Sequence, residues 1–247
     1  MISVMRDGAV LRLMLDRPQR RNALGTAGIQ ALDHALAAAD QDDGVRAIVL
    51  TGAPPAFCAG SDLKELGGLS IADMCAHEEI TAAVARKIAL MTKPVVCAVE
   101  GYALGGGFIL AVSCDVVVTA TDAKWRLPEV ANGWLPPWGL QALLARVGPV
   151  RARMLVWGVE AIDGAEAHRL GVADLVTPAG GALDRAMAYA IALAALPAEA
   201  VTSTKRFFEL FAGRDAERLD AVASRAFAHD CLGPAAAATL ARFTVTS

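Results

Sequence analysis

The most constraining feature of this sequence is a buried strand that runs into three consecutive glycines and then into an apolar helix. The segment 95–99 is rich in β-branched residues, which is typical of a buried strand. Gly105, Gly106 and Gly107 follow, and the apolar segment 108–112 comes next. A helix that opens on glycines presents bare backbone N–H groups, which suit an anion or a developing oxyanion. The stretch therefore predicts half of an oxyanion hole.

Composition limits the class of protein. The chain has 247 residues, 55% of them hydrophobic, and a net charge of −3, so we expect neither a nucleic-acid surface nor a basic membrane patch. The longest uncharged runs, 101–114 and 186–198, are shorter than the roughly 18 residues of a transmembrane helix. The N-terminus lacks an apolar signal core. Five scattered cysteines without a Cys-x-x-Cys pair argue against a metal site and favour a cytoplasmic location.

Strand and helix signals alternate along most of the chain and then give way to helix alone. An amphipathic helix is predicted over 71–91. Strands are predicted over 9–15, 45–51, 95–99, 116–120, 124–127 and 172–176. After Pro178 the segments are rich in Ala, Leu and Phe. We therefore predict an α/β core over residues 1–195 and a C-terminal helical segment over residues 196–247.

A loop that precedes the central strand supplies a partner for the glycine triplet. Two prolines lead into Phe57-Cys-Ala-Gly-Ser-Asp-Leu-Lys-Glu65, a composition that favours a fixed loop. Gly60 permits an unusual backbone angle, which would aim the N–H of Ser61 into a cavity.

These two stretches together resemble the enoyl-CoA hydratase/isomerase (crotonase) family. Further matches in the same order are Arg17-Pro18, Asn22-Ala23-Leu24, Cys114-Asp115, Pro128-Glu129 and the segment 164–176. The resemblance implies a crotonase-type spiral of ββα turns, with C-terminal helices that assemble a homotrimer or hexamer. It also implies an acyl-CoA thioester substrate, a place in fatty acid metabolism, and no cofactor other than the coenzyme A of the substrate.

The resemblance also assigns roles to particular positions. The thioester oxygen is expected between the N–H groups of Ser61 and Gly106, and Glu129 is expected to be the acid/base. Lys205 falls where basic residues of the family meet the phosphates of coenzyme A, although a solvent-facing helix surface would explain it equally well. The other positions expected to contact the substrate are Ala23, Leu24, Ala59, Gly60, Asp62, Leu63, Gly105, Gly107, Ile109 and Trp134. For Asp62, a cap or salt bridge is the simpler interpretation.

The sequence departs from the family pattern at position 109. The family's hydratases carry one glutamate two residues after the glycine triplet and a second in the Pro-Glu motif. Here the first is Ile109, whereas the second is present as Glu129. A single carboxylate can shuttle a proton between two carbons but is a poor substitute for a pair that orients water. The pattern therefore favours isomerisation of an enoyl-CoA, in which Glu129 takes a proton from C2 and returns it to C4 through a dienolate.

Two other functions stay open. The first is an enoyl-CoA hydratase or related lyase in which His77, Glu100 or another group replaces the missing glutamate. The second is a binder of acyl-CoA that has lost its activity. His77, on the helix expected to wall the pocket, is the best candidate for a second acid/base, although an ordinary core or surface histidine is the simpler interpretation.

Overall fold

Strands and helices alternate as far as residue 194, and three helices follow in the part of the chain that the structure describes beyond it. The computed structural model describes residues 2–213 and 215–244. The strands are β1 (Ile2–Asp7), β2 (Val10–Leu15), β3 (Ala47–Gly52), β4 (Val95–Val99), β5 (Tyr102–Leu104), β6 (Val116–Ala120), β7 (Lys124–Arg126), β8 (Ile162–Asp163) and β9 (Leu175–Thr177). The helices are α1 (Thr26–Gln41), α2 (Leu63–Leu66), α3 (Ile71–Leu90), α4 (Gly106–Val112), α5 (Glu129–Asn132), α6 (Leu140–Trp157), α7 (Gly164–Leu170), α8 (Ala182–Ala194), α9 (Ala198–Ala212), α10 (Ala216–Asp230) and α11 (Pro234–Thr244).

A six-stranded sheet in the order β1-β2-β3-β4-β6-β9 forms the main layer. Every neighbouring pair is parallel except β1 and β2. All five residues of β4 are buried, as expected for a parallel strand that is covered on both faces. On one face, alanines of α8 pack against valines of β3, β4 and β6. The other face belongs to the larger core, which includes residues of α1, α3 and α4.

A second, three-stranded sheet in the order β5-β7-β8 links the successive turns of the chain. Isolated parallel bridges join Leu24 to Ser61 and Cys58 to Ala103, so the loop that contains Ser61 lies beside β5. The chain therefore repeats a strand–strand–helix unit, most clearly in β4-β5-α4. This arrangement places the glycine triplet directly after β5 and next to the Ser61 loop.

Several element boundaries differ from the prediction. Strand β1, which the pattern did not indicate, is an edge strand whose last four residues are exposed, so it carries no buried apolar alternation. The predicted strand over 172–176 is β9, which begins three residues later. Helix α6 is kinked at Gly148, whose φ of 74° is left-handed.

The last three helices differ in how they meet the core. Helix α10 packs on α3 and α6, and α11 packs on α2 and α5. Over residues 198–211, helix α9 contributes no fully buried residue and leaves Phe207, Phe208 and Phe211 exposed. The division of the chain at residue 195 stays a prediction.

In residues 2–213 and 215–244, no single helix is long and apolar enough to cross a membrane. Helix α8 and the part of α9 up to Phe211 pass the same test of length and composition only as a pair, and that pair is bent by 112°.

Candidate active site

A cavity of about 60 Å³ lies where the Ser61 loop, the start of α4, α3 and α5 meet, and α10 and α11 close it. Nine of the predicted site residues line this cavity. They are Ala59, Gly60, Ser61, Leu63, Gly105, Gly106, Ile109, Glu129 and Trp134. Trp138, Phe227, Cys231 and Leu240 complete much of its apolar wall. Two stretches that are more than 40 residues apart in the sequence therefore form one site.

The backbone of the Ser61 loop is fixed on both sides of Ser61. Leu24 N–H donates to Gly60 O (2.8 Å), and Asp62 N–H donates to Leu24 O (2.9 Å). Gly60 adopts a left-handed φ of 86°, which turns the chain toward the start of α4. Leu24 itself is buried in the core, so it acts on this site by holding the loop and does not line the cavity.

The amides of Ser61 and Gly106 lie close together. A Cβ atom built on Gly106 would lie 3.7 Å from the nitrogen of Ser61. Within the described part of the chain, neither amide hydrogen has a protein acceptor. This arrangement of two neighbouring N–H donors suits an oxygen that gains negative charge between them.

Glu129 is the first residue of α5, and its side chain lies beside the glycine triplet. A Cβ atom built on Gly105 would lie 2.7 Å from Glu129 Oε1, and Glu129 Oε2 is buried without a hydrogen-bond partner. Burial raises the pKa of Glu129 to about 8, and the nearby charge of Glu78 contributes in the same direction. The carboxyl group can therefore both accept and return a proton near neutral pH.

Glu78, on α3, brings a second buried carboxylate to the cavity. Its Oε1 accepts a hydrogen bond from Ser61 Oγ and its Oε2 accepts one from Trp138 Nε1, each at 2.7 Å. Burial raises the pKa of Glu78, and these two hydrogen bonds oppose that effect. The sequence analysis did not assign Glu78 a role. Its spacing from the buried Met74, Ala82 and Ala85 could have placed it on the inner face of α3.

The two candidates named for a second acid/base lie elsewhere. His77 does not line the cavity, and its Nδ1 is 3.2 Å from Thr26 Oγ1, on the side of α1. The carboxylate of Glu100 accepts hydrogen bonds from Gly180 N–H and Ala182 N–H at the start of α8. These positions support the simpler, structural interpretation of His77 and Glu100, and the group that faces the cavity is Glu78, the neighbour of His77.

Two further predicted contacts have structural roles instead. Asp62 pairs with Arg17 at 2.7 Å and accepts the N–H of Lys64, so it caps α2 and lies outside the cavity lining. A Cβ atom on Gly107 would collide with the carbonyl of Cys58, so this glycine permits close packing of α4 on the Ser61 loop. The predicted contact of the half-buried Ala23 with coenzyme A stays a prediction.

Lys205 was expected to contact a phosphate of coenzyme A, but its ammonium group is bound to other parts of the protein. Its ammonium donates to Ile88 O (2.7 Å), Lys93 O (2.9 Å) and Asp115 Oδ2 (2.7 Å). The side chain is only 7% exposed. Because an ammonium has three hydrogens, these partners leave none for a phosphate.

Metal and thiol chemistry find no support in the described residues. Residues 2–213 and 215–244 contain no group of three or more His, Cys, Asp or Glu side chains that is arranged to hold a metal ion. Cys231 lines the cavity, but burial raises the pKa of its thiol to about 11, so it stays protonated at neutral pH.

Comparison with known proteins places this geometry in a family. Residues 5–229 match the family model described as enoyl-CoA hydratase/isomerase. The chain is 38% identical over 205 residues to the Mycobacterium bovis protein named "Probable enoyl-CoA hydratase echA8", which covers 83% of this chain and 79% of that protein. It is 36% identical over 192 residues to the 2,3-dehydroadipyl-CoA hydratase of Escherichia coli, with 77% and 73% of the two chains covered.

Solved structures agree with the sequence comparison. An enoyl-CoA hydratase/isomerase from Mycobacterium paratuberculosis superposes with a TM-score of 0.90 at 28% identity, and the match covers 98% of this chain and 97% of that one. The predicted crotonase-type α/β fold is therefore confirmed. The chain, with two neighbouring amides and a buried glutamate beside them, belongs to the enoyl-CoA hydratase/isomerase family and is one of its acyl-CoA enzymes.

Proposed function

We propose that this enzyme transfers a proton at C2 of an enoyl-CoA thioester, with Glu129 as the acid/base and the amides of Ser61 and Gly106 as the oxyanion hole. The observation that carries the proposal is the position of Glu129 Oε1, 2.7 Å from where a Cβ of Gly105 would lie. Gly105 directly precedes the amide of Gly106, so the base and the oxyanion donor are adjacent. Proton transfer at the carbon next to a thioester requires this arrangement.

Isomerisation of the double bond is the first candidate reaction. Ionised Glu129 takes the C2 proton, and the electron pair of the broken C–H bond delocalises to form a dienolate. The oxygen of this dienolate accepts hydrogen bonds from the two backbone N–H groups. The protonated glutamate then returns the proton to C4, and the double bond shifts from C3–C4 to C2–C3. The reaction uses one carboxyl group, and Ile109 in the cavity wall has no proton to exchange.

Hydration of the double bond is the second candidate. The relatives named above carry hydratase names. Water addition needs a group that removes a proton from water as well as a group that protonates C2. The presence of Glu78 in the same cavity supports this candidate, because it supplies a second buried carboxyl group.

The size of the cavity favours a short acyl group. At about 60 Å³ it is far below the roughly 300–1,000 Å³ of typical ligand pockets. Trp134 and Phe227 pack edge to face at 6.1 Å, and both line the cavity. We infer that the acyl chain beyond the reacting carbons is short, because these rings occupy the space that a long chain would need.

Proton exchange in deuterated water tests the proposed function. The enzyme is incubated with four-carbon and longer acyl-CoAs, and deuterium at C2 is measured by mass spectrometry. We expect exchange that falls by about 10²–10⁴-fold in Glu129→Gln, while acyl-CoA still binds. Glu166→Gln, which alters an exposed carboxylate on α7, is the matched control and should exchange normally. Binding without any C2 exchange in the unmodified enzyme would instead support a non-catalytic acyl-CoA binder.

We further propose that the enzyme acts as a homotrimer or hexamer in the cytoplasm. The exposed phenylalanines of α9 support an assembly, because a large apolar surface on one helix is typical of an interface. Sedimentation velocity measures the mass directly. A monomer at micromolar concentration would contradict this part of the proposal.

A further inference from the structure

Beyond the C2 chemistry, the cavity holds one reactive group that the family pattern does not account for. Glu78 is 5% exposed and lines the same small cavity as Glu129. Within residues 2–213 and 215–244, no lysine or arginine forms an ion pair with either carboxylate. The charge of the neighbouring His77 favours the ionised form of Glu78. Without a lysine or arginine partner, burial of this carboxylate is still costly to stability, which makes a purely structural role unfavourable.

Glu78 is also fixed relative to both halves of the oxyanion hole. It accepts the hydroxyl hydrogen of Ser61, whose backbone N–H is one predicted donor. It also accepts the indole hydrogen of Trp138, whose ring atom Cζ2 would lie 3.2 Å from a Cβ on Gly106, the other donor. Glu78 would therefore have a fixed orientation relative to a thioester that is held by the two amides.

The two carboxyl groups differ in their surroundings. Two side-chain donors at 2.7 Å stabilise the charged form of Glu78. Glu129 Oε2 has no donor, and the side chain of Glu129 accepts none from another side chain of the described residues. Like charges in one cavity also disfavour the ionisation of both groups. Unequal environments of this kind separate an ionised base from a protonated acid.

We infer that Glu78 is the general base for addition of water at C3, the part that a glutamate at position 109 takes in the family's hydratases. This inference rests on the proposed C2 chemistry of Glu129. Glu78 removes a proton from water while the water oxygen bonds to C3. The π electrons of the C2–C3 bond move toward the thioester, whose oxygen is held by Ser61 and Gly106. Protonated Glu129 then delivers its proton to C2, and a 3-hydroxyacyl-CoA results.

The test measures two reactions on the same protein samples. Hydration of crotonyl-CoA reports Glu78 together with Glu129, whereas C2 exchange of a saturated short acyl-CoA reports Glu129 and the oxyanion hole. We expect Glu78→Gln to lower kcat for hydration by about 10²–10⁴-fold. C2 exchange should fall by less than about tenfold, because its base and its oxyanion donors remain. Glu79→Gln, the next residue on α3, has a carboxylate that is half exposed and paired with Arg86, and it serves as the matched control.

Two further measurements separate a base from a residue that only positions its neighbours. In the unmodified enzyme the hydration rate should fall at acidic pH as Glu78 becomes protonated, and Glu78→Gln should lose this dependence. Adding Ile109→Glu to Glu78→Gln should recover at least part of the hydration, because Ile109 faces the same cavity. Loss of the positioning hydrogen bonds alone would predict neither result.

Each outcome decides the inference. Selective loss of hydration, with the pH change and the rescue, supports it. C2 exchange without hydration of crotonyl-CoA in the unmodified enzyme overturns the role of Glu78 and leaves the proposed function intact. Equal losses of both reactions in Glu78→Gln, without rescue, assign Glu78 to structure and also overturn it. Absence of both reactions in the unmodified enzyme refutes the proposed function and the inference together.

Discussion

Two cavities lined by described residues differ in size by about tenfold, and the smaller one has the features of an active site. The larger, of about 680 Å³, is a groove between α3, α6, α8 and α9, and the smaller is the cavity of about 60 Å³ beside the glycine triplet. The groove is lined by basic side chains that are each paired with an acid: Arg86 with Asp220, Arg146 with Asp174 and Lys205 with Asp115. The smaller cavity instead holds Glu78 and Glu129.

The comparison shows that polar groups without hydrogen-bond partners identify this site better than cavity volume does. The basic side chains of the groove are already paired with carboxylates of neighbouring segments. These ion pairs hold the segments together, and their members are not free to act as an acid or a base in catalysis. In the cavity, Glu129 Oε2 and the amide hydrogens of Ser61 and Gly106 have no hydrogen-bond partner among the described residues. A search by volume alone would have selected the groove, where the structure shows only packing and ion pairs among the residues named here.

Among the substitutions that compare the cavity with the groove, Gly105→Ala should give the largest loss of activity. Gly105 has a φ of 54°, and a Cβ would lie 2.7 Å from Glu129 Oε1. We expect Gly105→Ala to displace the carboxylate and to lower C2 exchange by about 10²–10³-fold. Gly28→Ala is the matched control, because a Cβ there meets nothing within 4 Å, and it should exchange normally. Full activity of Gly105→Ala would mean that Glu129 is not the group that acts at C2.

The pH dependence of the rate should distinguish the two candidate reactions. If Glu129 acts first as a base, kcat/KM for isomerisation should rise by about tenfold per pH unit up to about pH 8 and then level off. If protonated Glu129 acts as the acid in hydration, kcat/KM should instead decline above about pH 8. Measurement of kcat/KM between pH 5 and pH 9.5 shows whether it rises or declines with pH. If kcat/KM still changes near pH 8 in Glu129→Gln, the group that titrates there is not Glu129.

Substitution in the groove should change stability and leave chemistry unchanged. Lys205→Met removes three hydrogen bonds from a side chain that is 7% exposed. We expect the free energy of unfolding to fall by about 2–3 kcal/mol, while KM for acyl-CoA stays the same. Denaturant unfolding and steady-state kinetics measure the two quantities, and Arg206→Met, at an exposed neighbouring position, is the control. A tenfold rise in KM with unchanged stability would restore the predicted phosphate contact.

The parts of the site that could be predicted from the sequence are those with a local signal. The unusual backbone angle predicted for Gly60 in the Ser61 loop is confirmed by its φ of 86°, and Gly105 in the triplet 105–107 also has a positive φ, of 54°. Glu129 directly follows Pro128 in a recognisable motif. In each case the constraint lies within a few residues of chain, and therefore it is visible before the fold is known.

The parts that could not be predicted depend on contacts between distant segments. Glu78 enters the site through its partner Trp138, which is 60 residues away, and only the packing of α3 against that loop decides that Glu78, and not His77, faces the cavity. Lys205 meets Asp115 across 90 residues, so its exposed appearance in the sequence was misleading. Edge strand β1 lacked the apolar alternation that reveals buried strands.

Shortening the side chain of Leu240, in the wall of the cavity, should give the smallest effect. We expect it to change the preference of the enzyme for the length of the acyl chain. Leu240 on α11 lines the small cavity and is partly buried against its apolar wall. We expect Leu240→Ala to raise the ratio of kcat/KM for six-carbon over four-carbon enoyl-CoA by about tenfold, which corresponds to one or two additional methylenes in the pocket. Leu232→Ala, at a side chain that is 74% exposed, should leave the ratio unchanged. Because both substrates are measured on one sample, a loss of folded enzyme cancels from the ratio. An unchanged ratio in Leu240→Ala would mean that the acyl chain does not extend toward α11, and that the groove beneath α9 should be reconsidered as its path.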